Sequence, residues 1–200
     1  DDQIDDVGFV SAAIDDLCSK FNVDRKRIYM TGFSNGGMFT YRFGAEKSDM
    51  LAAIAPLAAS LGGKSLPDMP EWRPPEPSKP LSVLVMHGLT DEDIPFAGGV
   101  SSRRGGTRST LSVMESVDFW TENNGCHDDP FVENLFGGMV HQTTWSGCRD
   151  RTQVVLMTIE GWEHSWPGPY FTHALNGDHP LYGFDAAEII WAFFKNHVRN

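Results

Sequence analysis

Basic residues are scarce. The 200-residue chain has 16 Lys and Arg against 27 Asp and Glu, a formal net charge of −11. Phosphate backbones are gripped by clustered cations, and the densest pair here is Arg103–Arg104, so no nucleic-acid partner is expected. No apolar run approaches the roughly 20 residues that a membrane helix needs, so no membrane partner is expected either. The opening DDQIDDVGF is neither the basic n-region nor the apolar h-region of a secretory leader. His-Glu-x-x-His is missing, and His173 and His179 are not spaced as a helical zinc pair; no metal or other cofactor is expected. Cysteine is limited to Cys18, Cys126 and Cys148. Cys18 falls on a helical stripe and reads as a buried free thiol. Cys126 and Cys148 sit in loop-like NNGC and WSGC. On spacing alone, a disulfide, with the oxidising compartment it implies, and two unpaired thiols stand equally open.

What is present is enough apolar material, 40% of the chain, for one sizeable core. Residues 7–21 place Val10, Ile14, Leu17 and Phe21 on one helical stripe, with Asp5 or Asp6 as N-cap. RIYMTG is a short strand, and Asn35 to about Glu46 is helical. MLAAIAPLAA (50–59), LSVLVMHG (81–88) and QVVLMTIEG (153–161) are the apolar runs of strands covered on both faces. Six prolines make 62–80 an irregular loop. A helix is predicted over about 107–123, with Leu111, Met114, Val117 and Trp120 on one face. Another begins near Asp185, where Glu188 is spaced to close a capping box, and buries Ile190, Phe193 and Phe194. Such alternation predicts a single α/β domain over 1–200: a parallel sheet with helices on both faces.

In sheets of this kind reactive groups lie beyond the C-terminal ends of strands. Gly32-Phe33-Ser34-Asn35-Gly36 follows one strand and opens a helix. A nucleophile elbow has this form: a serine on a tight turn, flanked by small residues, at a helix N-terminus whose free N–H groups favour negative charge. The Asn35 N–H is the candidate oxyanion donor. HGLTDEDIPF follows the LSVLVM strand and offers Asp91, with Asp93 as fallback, to orient a histidine. EGWEHSWPGP follows the last strand and offers His164 as the base. Each residue alone reads more readily as a helix-capping turn, a solvated acidic loop or an ordinary histidine. Together they fall in the chain order serine, acid, histidine of the α/β hydrolases.

DDVGFVSAAIDDL, RIYMTGFSNGGM, AAIAPLAA, VLVMHGLTDEDIPF, FWTENNGC, EHSWPGP and FDAAEIIWAFFKNH resemble the esterase family of polyhydroxybutyrate depolymerases and feruloyl (acetylxylan) esterases, from about residue 4 to 197. The resemblance implies Ser34 as nucleophile, His164 as base and Asp91 as acid. It also implies a Cys126–Cys148 disulfide and an extracellular or periplasmic location. The expected activity is hydrolysis of feruloyl or acetyl esters of plant polysaccharide, or of 3-hydroxyalkanoate oligomers, through an acyl-enzyme. Phe96, Trp162 and Trp166 are the aromatics expected around the acyl pocket. Trp162 stands where the family has a glycine-rich approach to the histidine. The family also has several strands ahead of DDVGF, including a loop that supplies a second oxyanion N–H. This chain is therefore expected to hold only the C-terminal portion of the fold and to leave the Ser34 strand as an apolar edge open to pairing. Two other readings fit the motifs: a prolyl-oligopeptidase-like peptidase, and a non-catalytic module on a decayed esterase scaffold.

Overall fold

A computed structural model describes residues 4–101 and 106–199; Arg103 and Arg104 lie outside the described residues. In chain order the elements are α1 (Asp6–Lys20), β1 (Tyr29–Phe33), α2 (Asn35–Glu46), β2 (Ala53–Leu57), β3 (Gly63–Lys64) and β4 (Ser82–Gly88). They continue with β5 (Gly99–Val100), β6 (Ser109–Thr110), α3 (Val113–Asn124), β7 (Phe131–Leu135), β8 (Val140–Trp145), β9 (Val154–Ile159), α4 (Pro169–Thr172) and α5 (Ala186–Lys195).

Six strands form one sheet in the order β1-β2-β4-β9-β8-β7, and β3, β6 and β5 form a second, small antiparallel sheet. From β1 to β9 the neighbours of the large sheet are parallel, while β8 and β7 are antiparallel to what precedes them. The sheet is thus mixed, where the apolar runs alone predict a parallel one. The difference is the β7–β8 hairpin, which falls in a stretch without apolar periodicity. β7 is exposed at four of its five positions, so no burial pattern marks it. Among the described residues β1 pairs with β2 alone and forms the other edge of the sheet.

Every residue of β2, β4 and β9 is buried. Alternate side chains serve two cores, as the two-residue period of a strand requires. Val83 and Val85 of β4 join Ile54 and Leu156 beneath Tyr41, Phe43, Val117 and Trp120 of α2 and α3. Leu84 and Met86 face the opposite layer, with Leu57, Met157, Ile190 and Phe194. Each fully buried aliphatic side chain contributes about 1.5–3 kcal/mol relative to exposure. The covered central strands therefore hold the frame.

Three helices differ from the sequence expectation, α3 in where it starts and α1 and α5 in which side chains they bury. α3 starts at Val113 because Ser112 and Glu115 close a reciprocal capping box and Ser109–Thr110 pair as β6. Val113, Val117 and Trp120 form its buried face, and Met114 is exposed. α1 meets the core through Val7, Val10 and Ile14 only. Leu17 and Phe21, expected on its inner stripe, are 50% and 64% exposed, and Cys18 is half-exposed rather than buried. In α5 the Asp185 carboxylate caps Ala187 N–H; Ile190 and Phe194 are buried, and Phe193 is half-buried.

Candidate active site

Ser34, Asp91 and His164 stand at the C-terminal ends of β1, β4 and β9 and converge. Ser34 is the junction of β1 and α2, with φ 56° and ψ −119°. A non-glycine residue held there costs on the order of 1–3 kcal/mol, and such strain persists only where its surroundings enforce it. Here the Ser34 N–H donates to the Leu57 carbonyl at 3.0 Å, while the Ser34 carbonyl already accepts from Met38 N–H of α2 at 2.9 Å. A Cβ on Gly32 would lie 2.4 Å from the Gly36 backbone, and one on Gly37 would lie 2.6 Å from the Ala59 Cβ. A Cβ on Gly36 meets nothing within 4 Å. The tight approach therefore demands glycine at 32 and 37 rather than at 32 and 36. Asn35 opens α2, so its N–H is among the first-turn donors with no intrahelical acceptor.

Asp91 is 4% exposed. Its Oδ1 accepts the N–H groups of Asp93 (2.9 Å) and Ile94 (2.8 Å), which fixes the carboxylate in the turn. Its Oδ2 lies 2.7 Å from His164 Nδ1, and His164 Nε2 lies 2.9 Å from Ser34 Oγ. A carboxylate can only accept, so Nδ1 carries the hydrogen and Nε2 is left to accept from the serine hydroxyl. Burial pushes the Asp91 carboxyl upward, but hydrogen bonds from His164 and the Ile94 N–H outweigh it and hold the group below its ordinary range. Of the two candidate acids, Asp91 makes the contact with His164; Asp93 supplies its backbone N–H to Asp91.

The loops after β4 and β9 touch because Gly88 has no side chain: a Cβ there would sit 2.1 Å from the Trp162 carbonyl. That carbonyl accepts the Thr90 N–H at 3.2 Å. The Trp162 indole N–H donates to the Ser165 carbonyl at 3.1 Å, bracing the turn that carries His164.

The narrow cleft at Ser34 is lined by Asn35, Met38, Asp93, Ile94, Ser101, Arg108 and Thr110. The three aromatics expected at an acyl pocket are not among these residues. Phe96 packs on the first core and lies edge-on to His87. Trp162 packs edge-on to Phe171, and Trp166 lines a separate cavity with Thr31, Ile190 and Trp191.

Two neighbours escaped the sequence reading. The Phe33 ring lies 4.8 Å from the His164 ring; its place directly before the serine was the available signal. His87 is buried beside Asp91, with Nε2 3.7 Å from Oδ2. Its Nε2–H donates to the Ile94 carbonyl at 2.8 Å, closing the turn that holds Asp91. Burial pushes the His87 imidazole below its usual value, which favours the neutral ring.

Asp91, Asp93 and His164 offer three potential cation ligands within 4.8 Å of one another. Both Asp91 oxygens and His164 Nδ1 are already engaged in hydrogen bonds.

A disulfide joins Cys126, just past α3, to Cys148, between β8 and β9. It ties the hairpin side of the sheet to the helical layer.

The solved acetyl xylan esterase from Aspergillus awamori superposes with a TM-score of 0.57 at 16% identity, covering 94% of this chain and 67% of that one. The fold is that of an α/β hydrolase. No family model matches the chain. It is 32% identical over 162 residues to feruloyl esterase B of Piromyces equi, a match covering 80% of this chain and 29% of that protein. Feruloyl esterase C of Emericella nidulans is 28% identical over 154 residues, 72% of this chain and 45% of that protein. The bifunctional acetylxylan esterase/xylanase XynS20E of Neocallimastix patriciarum is 33% identical over 88 residues, 44% of this chain and 12% of its own length. The chain is thus similar, at low identity, to a broad group of α/β-hydrolase esterases, and it spans less than half the length of each of these curated relatives.

Proposed function

We propose that this chain carries the catalytic centre of a serine esterase acting on carboxylic esters of plant polysaccharide, feruloyl or acetyl esters among them. The observation that supports it most is the unbroken hydrogen-bonded line Ser34 Oγ–His164–Asp91, at 2.9 and 2.7 Å. His164 Nε2 takes the serine proton as Oγ attacks the ester carbonyl. Asp91 keeps the imidazole in the required tautomer and stabilises its cation. The tetrahedral oxygen receives the Asn35 N–H at the start of α2, where the helix dipole favours negative charge. His164 then returns the proton to the departing alcohol, and a water activated by the same nitrogen hydrolyses the acyl-serine. The similarity to feruloyl and acetylxylan esterases favours this substrate class, and the Cys126–Cys148 disulfide favours an oxidising, extracellular or periplasmic setting.

The test is covalent trapping. The purified chain treated with a fluorophosphonate is expected to gain one adduct on the peptide holding Ser34, and none in Ser34→Ala or His164→Ala. Labelling of another serine, or none in folded protein, would sink the assignment.

A further inference from the structure

Beyond the cleft at Ser34 lies a second cavity of about 160 Å³ that shares Met38 and Arg108 with it. The small sheet builds its wall. Lys64 of β3 pairs with Ser109 of β6, Arg108 immediately precedes Ser109, and both cations line the cavity. Trp72, 46% exposed, closes another side and is tied to Gly63 by reciprocal backbone hydrogen bonds. No described residue lining this cavity is acidic, in a chain whose formal net charge is −11. The half-buried Arg108 guanidinium donates to the Met38 sulfur at 2.9 Å and forms no ion pair with a described carboxylate. A guanidinium is best satisfied by a planar bidentate anion, and a thioether is a weak acceptor. An exposed indole face beside it suits the apolar face of a ring. The volume lies below the roughly 300 Å³ at which pockets for drug-sized ligands begin, which suits one ring.

Resting on the esterase reading, we infer that this cavity is the alcohol-side subsite and takes a sugar bearing a carboxylate, a hexuronic acid. Its carboxylate would meet Arg108, with Lys64 adding charge, and its ring would lie on Trp72. The esters preferred are then those on or beside an acidic sugar of the polysaccharide.

The test compares two substrates with the same acyl group: a mono-O-acetylated methyl glucuronoside and the matching methyl glucoside. Wild-type protein is expected to favour the glucuronoside about tenfold in kcat/KM, the scale of one charge-assisted hydrogen-bonded contact. That ratio is expected to fall toward one in Arg108→Gln, to drop partly in Lys64→Gln, and to shrink as salt is raised. Equal wild-type rates, or a preference that survives Arg108→Gln, overturn the inference while leaving the esterase reading intact. Where turnover is too slow to measure, titrating both acetylated sugars into Ser34→Ala protein decides. Selective binding of the glucuronoside that is lost in Arg108→Gln supports the subsite even if the esterase reading fails. Equal binding of both sugars, or none, rejects the subsite.

Discussion

The two sides of the large sheet are built differently. β2, β4 and β9 are buried at every position and run parallel with the half-buried edge strand β1; Ser34, Asp91 and His164 stand just beyond the ends of β1, β4 and β9. β7 and β8 turn back on themselves at the far edge, and β7 is almost wholly exposed. They contribute none of the three. The covered strands β4 and β9 fix the ends that carry Asp91 and His164, and the edge strand β1 is tied at Ser34 by its N–H bond to the Leu57 carbonyl of β2. The hairpin is not pinned by burial, and the nearby Cys126–Cys148 cross-link supplies part of what burial gives elsewhere.

Substitutions can break this contrast, in descending order of effect. Asp91→Asn is expected to lower kcat by about 10⁴, as the equivalent change does in a serine protease, because an amide leaves His164 in the wrong tautomer. Steady-state ester kinetics on folded variant check it, and a fall of less than tenfold contradicts the role. Leu84→Ala, which empties a site in the middle of β4, should cost about 2–5 kcal/mol in urea unfolding. Replacing both Cys126 and Cys148 with serine should cost about 2–4 kcal/mol, the range for closing a loop of this size. Ester kinetics of the double variant below its unfolding range should stay near wild type, because none of Ser34, Asp91 and His164 sits on the hairpin. A variant that stays folded but loses turnover would erase the distinction between the two sides. Phe131→Ala, on an exposed strand, should change the unfolding free energy in urea by no more than about 0.5 kcal/mol.

Burial lowers the His87 imidazole, so below about pH 6.5 the unfolded chain binds a proton that the folded chain refuses. Stability therefore falls as pH drops through that window, by at most about 1.4 kcal/mol per pH unit for one such group. His197, also lowered by burial, adds a slope of the same sign. The Asp91 contribution is lost only further down, as pH falls through its depressed folded value, so it does not shape this range. Urea midpoints between pH 7.5 and 5.5 should flatten in His87→Gln; an unchanged slope would show that His87 protonates freely in the fold.

The contrast also explains what the amino-acid sequence revealed. Buried strands announce themselves as apolar runs; Asp91 and His164 follow the buried β4 and β9, and Ser34 follows the shorter, half-buried β1. Phe131–Leu135 is exposed at most positions and Val140–Trp145 is largely polar, so neither carries a burial period, and the hairpin was invisible. The cleft walls were missed for another reason. Arg108 and Thr110 reach Ser34 through the pairing of two-residue strands, which leaves no pattern in the chain, while Met38 stands one helical turn along α2 from Ser34. Phe96, Trp162 and Trp166 drew attention as aromatics near reactive loops, yet their rings are spent on packing and on bracing a turn.

The most direct test of the central claim is turnover of a short-chain p-nitrophenyl ester by the purified chain, side by side with Ser34→Ala. The account predicts turnover by the wild-type chain and a loss of at least about 10³-fold in the variant. Equal rates for the two, or no turnover from folded wild-type protein, would contradict it.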